Sequence, residues 1–188
     1  MLGSPCLQRG SSARDGRGES QPYPWGMTTA LDIDVRRAHD GELDQVVRLR
    51  WIWATIDNGE TPEMDEPTYV SGAVEWARDH TETHIPFVAA TGSGEIVGMA
   101  WLALTPRVAH TRGFRRWSGD LQSCYVLPEY RNQGVGGRLV RATLEAATQC
   151  GAEHVTVHAS ADSVAVYERS GFRPSPRLLF IDAAITER

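Results

Sequence analysis

Arg131-Asn132-Gln133-Gly134-Val135-Gly136-Gly137 is the stretch on which the reading of this 188-residue chain turns. An apolar, strand-like segment, Leu121 to Leu127, precedes it, and a helix-patterned one, Gly137 to Cys150, follows. A glycine-rich turn between a strand and a helix leaves backbone N–H groups unpaired at the positive end of the helix dipole. Such a turn seats a phosphate or diphosphate. Gly134 and Gly136 let a ligand approach without a Cβ in the way, and Arg131 can add a charge-assisted contact at the rim.

Spacing decides which phosphate ligand fits. A Walker loop needs GxxxxGK[ST], yet all 19 basic residues of this chain are arginine. The dinucleotide fingerprint GxGxxG fails as well, because Gly137-Arg138-Leu139 supplies no third glycine at the required place, and the turn lies too late in the chain. What remains is [Arg/Gln]-x-x-Gly-x-[Gly/Ala] after Val126-Leu127-Pro128-Glu129-Tyr130. This resembles the acyl-CoA-binding signature of the GNAT superfamily of N-acetyltransferases. A second segment, Ser160-Ala161-Asp162-Ser163-Val164-Ala165-Val166-Tyr167-Glu168-Arg169-Ser170-Gly171-Phe172, is similar to that family's later helix, Asn-x-x-Ala-x-x-(apolar)-Tyr-x-x-x-Gly-Phe.

Composition fits one folded unit. The chain is 41% apolar and 23% charged, and its length suits a single core. No apolar run approaches the ~20 residues that span a bilayer, so no membrane partner is expected. Residues 1–26 are rich in Gly, Ser, Arg, Pro and Gln and lack an apolar signal core, so they read as a disordered tail or a leader upstream of Met27. Residues 27–188 then form one domain. The cysteines Cys6, Cys124 and Cys150 are odd in number and show no CxxC, which points to a reducing, cytoplasmic setting. A net charge of −5 argues against a broad nucleic-acid surface.

Periodicity predicts a strand at Ile33–Arg37, then a helix capped by Asp40 and running from Leu43 to Trp51. Pro62 and Pro67 break the pattern before a helix at Tyr69–Asp79. A hairpin follows, with arms Phe87–Thr91 and Glu95–Leu104, then a basic loop, Arg107–Arg116, and a strand from Leu121. After the glycine turn, Val135, Leu139, Val140, Leu144 and Ala147 share one helix face, and Gly151 ends that helix. A strand at His154–His158, a helix at Asp162–Ser170 and a last strand at Leu178–Ile181 complete the pattern. The order resembles the GNAT α/β (α+β) fold, which implies a mixed sheet splayed between its fourth and fifth strands.

The resemblance implies acetyl-CoA as cosubstrate and direct attack by a primary amine of a small molecule or peptide. An alkyl ammonium with a pKa near ~10.4 must first lose a proton, so the site needs a base route, an acid near sulfur and an oxyanion donor. Carried onto this chain, Cys124, Tyr125 and Val126, with Ser123 before them, are the strand edge that orients the pantetheine arm. Arg131, Asn132, Gln133, Gly134, Val135, Gly136 and Gly137 hold the diphosphate. Tyr167 is the general acid; otherwise it is an ordinary core tyrosine of an amphipathic helix. Ser160 stands where relatives carry an asparagine on the cofactor; otherwise it caps the helix with Asp162. Asp120 matches the base position of some relatives, or is a turn residue of Ser118-Gly119-Asp120. A silent acyl-CoA-binding regulatory module is the competing function.

Acceptor residues are harder to read. Asp57, Glu60, Glu63, Asp65 and Glu66 make either a rim that attracts a cationic amine or a solvated loop. Trp51, Trp53, Tyr69 and Trp76 line the same pocket or fill a core. Arg107, Arg112, Arg115 and Arg116 attract the 3′-phosphate of CoA or belong to a solvated loop. His80 and His84 lack the HExxH pattern, and no closed set of about four ligands is visible, so no metal is expected. Cys124 has no base beside it and reads as a buried strand residue. A homodimer is compatible with the chain.

Overall fold

The structure, a computed structural model, describes residues 32–179. The expectation for residues 1–26 and the end of the expected strand at Phe180 and Ile181 lie outside them. One five-stranded sheet runs in the order β1 (Ile33–Arg37), β2 (His84–Thr91), β3 (Ile96–Pro106), β4 (Trp117–Val126), β5 (Ala152–Val157). Neighbours are antiparallel except β4 and β5, which are parallel and joined through α3 (Val135–Gln149). The remaining helices are α1 (Leu43–Ile52), α2 (Glu66–Asp79) and α4 (Val164–Arg169).

Strands β2 and β3 are covered on both faces, which is why they are almost continuously apolar. Phe87, Ala100, Leu102 and Leu104 pack against Val135, Leu139 and Ala147 of α3. On the opposite face Val88, Met99, Trp101 and Tyr125 meet Leu43, Val46 and Val47 of α1 and Val70 and Ala77 of α2. A smaller cluster joins Leu121, Val140 and Tyr167, which docks α4 beside the sheet.

Several local expectations need correction. Asp40 does not cap α1. It opens a 3₁₀ turn, Asp40–Glu42, and its carboxylate accepts from Arg78 Nε at 2.8 Å, while the Glu42 carboxylate accepts from the His39 N–H. Pro67 does not keep α2 waiting until Tyr69: it occupies the first turn, where its missing N–H costs nothing. Asp65 caps that helix by accepting from the Thr68 N–H at 2.9 Å. β4 begins at Trp117, four positions before Leu121, because the preceding loop is tied to β5 through Arg107 and Arg116 on Glu153. Leu178 and Leu179 lie in no strand. Gly151 does close α3, at φ +77°.

Register places the site. β4 pairs with β5 only from Trp117↔Ala152 to Leu121↔Val157. Beyond Leu121 the two strands part, so the outer edge of Ser123–Val126 has no strand partner among the described residues. On the inner edge β3 stays paired to Val126, with a bulge at Gln122 between the Leu102↔Leu121 and Trp101↔Ser123 pairs. A bulge adds twist where a strand must turn away from its neighbour.

Candidate active site

The glycine turn lies at the end of that open edge. Asn132 sits at φ +60° and Gly134 at φ +80°, both left-handed. Glycine takes that conformation freely, and asparagine tolerates it better than most residues. Arg138 N–H donates to the Gly134 carbonyl at 3.1 Å and closes the first bond of α3. Among the described residues no backbone carbonyl accepts from the N–H groups of residues 132–137. Six amides are therefore free at a helix N-terminus with no acid in its first turn. Around Gly134 and Gly137 a Cβ would meet nothing within 4 Å, so the concavity is open. The open strand edge and the amides together fit a pantetheine arm followed by a diphosphate.

Arg131 does not face those amides. Its Nε donates to the Val126 carbonyl at 2.9 Å, its Nη2 donates to Asp57 Oδ2, and its guanidinium carbon lies 5.3 Å from the centre of the Tyr125 ring. Asp57 is brought there by a π-helical turn, Trp53–Asp57, that continues α1. Within it Thr55 Oγ1 donates to the Trp51 carbonyl at 2.9 Å, the i−4 back-bond that bends helices. Nothing in the sequence pattern signalled this turn.

Tyr167 is 8% exposed, with its ring 5.6 Å from that of Phe172. Burial, and then the neighbouring Cys124, push its hydroxyl up to about 12, so it stays protonated at neutral pH. Burial also pushes the Cys124 thiol up to about 12, which leaves a thiolate fraction near ~10⁻⁵ at pH 7. Cys124 is thus an inert strand residue whose thiol points to the Gly136 carbonyl. The hydroxyl of Tyr167 has no hydrogen bond within the described residues.

Asp120 is a strand residue and not part of a turn. It pairs with Ala103 on β3 and Thr156 on β5, and its Oδ1 accepts from Thr156 Oγ1 at 3.0 Å. Alternation from Leu121 puts Asp120 on the face that carries α1 and α2, whereas Tyr167 packs on the α3 and α4 face. The two candidates flank the place where β4 and β5 separate. Ser160 lies on the loop before α4, with its hydroxyl donating to Ser163 Oγ at 3.0 Å and not engaged with Asp162.

The acidic segment is divided. Asp57 pairs with Arg131, Asp65 caps α2, and Glu66 accepts from Arg48, which leaves Glu60 and Glu63 exposed at the surface. In the basic loop, Arg107 and Arg116 both donate to Glu153. His80 stacks on Trp76 at 4.3 Å and His84 meets the same ring edge-on at 4.8 Å. A groove of about 890 Å³ between β5, α4 and residues 173–178 shares Tyr167 with the site but none of the free amides. It is the gap along the unpaired side of β5, not the cleft at the strand edge.

Comparison with known proteins agrees with this geometry. The chain is 28% identical over 145 residues to the aminoalkylphosphonate N-acetyltransferase of Salmonella typhimurium, covering 76% of this chain and 86% of that protein. It is 34% identical over 90 residues to the glucosamine 6-phosphate N-acetyltransferase of Trypanosoma brucei brucei, covering 48% of this chain and 59% of the other. The fold matches a predicted acetyltransferase from Clostridium acetobutylicum, solved with acetyl-CoA, at a TM-score of 0.65 and 17% identity, over 80% of this chain and 96% of that one. A Trypanosoma brucei acetyltransferase aligns at a TM-score of 0.61 and 25% identity, over 81% and 100% of the two chains. Residues 44–172 match the model of the acetyltransferase (GNAT) family, and the chain is a member of that family, an N-acetyltransferase with acetyl-CoA as cosubstrate.

Proposed function

We propose that this enzyme moves the acetyl group of acetyl-CoA directly onto the primary amine of a small molecule, through one domain spanning residues 27–188. The observation that carries this reading is the continuity of two features. The partnerless edge of Ser123–Val126 runs straight into six free amides at the start of α3. An extended thioester carrier needs such a track: main-chain groups for the amide-bearing arm, then N–H donors for the diphosphate. Acetyl-CoA supplies the activated acetyl group.

The chain's own residues divide the remaining work. Amides of residues 132–137 bind the diphosphate, and the edge of Cys124, Tyr125 and Val126 aligns the arm. Tyr167, held protonated, donates a proton toward the sulfur end. Asp120, steadied by the Thr156 hydroxyl, receives a proton from the incoming ammonium, directly or through water. The inert Cys124 thiol favours direct attack over an acetylated enzyme. A small acceptor is favoured over a peptide because the Salmonella and trypanosome relatives are both named for small amines.

A panel of small amines and lysine peptides, followed by release of free CoA thiol, tests the assignment. Small amines are expected to turn over. Tight CoA binding with no turnover on any amine would replace this reading with that of a silent acyl-CoA-binding module.

A further inference from the structure

Arg50 stands near the end of α1, three residues before the turn that carries Asp57. Its guanidinium carbon lies 4.3 Å from the centre of the Trp53 ring. Its Nη1 is sealed from solvent and donates to nothing among the described residues. Among the other half-buried arginines of the described residues, Arg36 is matched by Glu42, Arg116 by Glu153 and Arg138 by the Ile33 carbonyl, and Arg37 reaches the Thr81 carbonyl at 3.5 Å. Acids are present nearby and are not used for Arg50. Glu66 is held by Arg48, and Glu60, close enough to act electrostatically on Tyr69 as Arg50 does, stays exposed.

A guanidinium taken partly out of water without an acceptor is costly, and stacking on an indole does not supply the missing hydrogen bonds. One other sealed side-chain polar atom among the described residues lacks a partner, the Tyr125 hydroxyl. Trp53, Tyr69 and Tyr125 belong to one packed cluster on the α1 and α2 face, the face to which Asp120 also points. Arg50, part exposed as a residue, thus stands over Trp53 on the same face as Asp120 with no hydrogen-bond acceptor among the described residues.

Resting on the acetyl-transfer reading above, we infer that Arg50 reads an oxyanion on the acceptor, so that the substrates are small amines bearing a phosphonate, phosphate or carboxylate group. A planar guanidinium offers parallel N–H groups that match such an anion in a way no neutral tail can.

Three amines that share an aminoethyl chain test the inference: 2-aminoethylphosphonate, β-alanine and propylamine, in thiol-release assays at fixed acetyl-CoA. The wild type is expected to prefer an anionic amine over propylamine by about 10–100-fold in kcat/KM, as charged hydrogen bonds give. The two anionic arms tell a phosphorus oxyanion from a carboxylate. In Arg50→Gln that preference collapses by a similar factor, mainly through KM, and Arg50→Lys regains part of it. Equal losses on all three amines in Arg50→Gln would show a merely structural arginine and overturn the inference. So would a wild type that handles propylamine as well as the anionic amines, a comparison that stands even if the variants fail to fold. No turnover of any amine despite CoA binding would instead sink the acetyl-transfer reading itself.

Discussion

Replacing Tyr167 by phenylalanine removes one oxygen and keeps the ring that packs on Leu121 and Val140. The hydroxyl has no hydrogen bond within the described residues, so its loss strands no partner among them. Stability should therefore change by well under ~1 kcal/mol, and Tm by no more than about 2–4 °C. If the hydroxyl is the acid, kcat falls by about 10²–10⁴-fold, or roughly 2.7–5.4 kcal/mol of barrier. The two scales are far enough apart to be separated by measuring turnover by thiol release and Tm on the same sample. CoA affinity, measured by calorimetry, should stay within about threefold. With the hydroxyl pushed up to about 12, the wild type should show no alkaline fall in rate from this group below about pH 10. The linkage sign agrees: the fold holds this proton more tightly, so the stabilisation is complete below pH ~10 and fades as pH rises toward 12. A kcat reduced less than about threefold, with Tm unchanged, would return Tyr167 to the core.

Gly134→Val places a β-branched residue at φ +80°, where an L side chain costs about 1–2 kcal/mol, although space is no obstacle. Tm should drop by about 2–8 °C and the CoA Kd should rise at least about 10-fold by calorimetry; an unchanged Kd would remove the amide cradle. Asp57→Ala breaks a half-exposed pair worth at most about 1 kcal/mol, and it frees Arg131 beside the free amides. CoA should bind about 2–5-fold tighter at low salt, with the gain disappearing near ~1 M salt; weaker binding in the variant contradicts this. Glu42 beside Arg36, and Glu153 beside Arg116, are both held down to about 2. Depressed carboxyls stabilise the fold above their unfolded values near ~4.3 and lose that contribution as pH falls to about 2, so Tm should decline through that window. A flat Tm from pH 5 to 2.5 contradicts the assignment.

What the sequence disclosed and what it withheld follow one physical division. The glycine turn was legible because its backbone angles are a local property: Asn132 and Gly134 tolerate positive φ wherever they occur. The apolar stripe of α3 was legible because Leu139, Val140 and Ala147 recur at the helical period, and all three are buried. Partners were not legible. Asp57 and Arg131 lie 74 positions apart, and the π-helical turn that joins them has no sequence signature. The same blindness made five acids look like one rim, when Asp57, Asp65 and Glu66 had each found a different donor. Pairing empties such patches of meaning as surface features, because a charge already met by its opposite offers little to a ligand. By that reasoning the informative charge is the one left over after pairing. Among the half-buried arginines of the described residues that residue is Arg50, an unremarked arginine of a helix when read as sequence, set apart only by an unmatched Nη1.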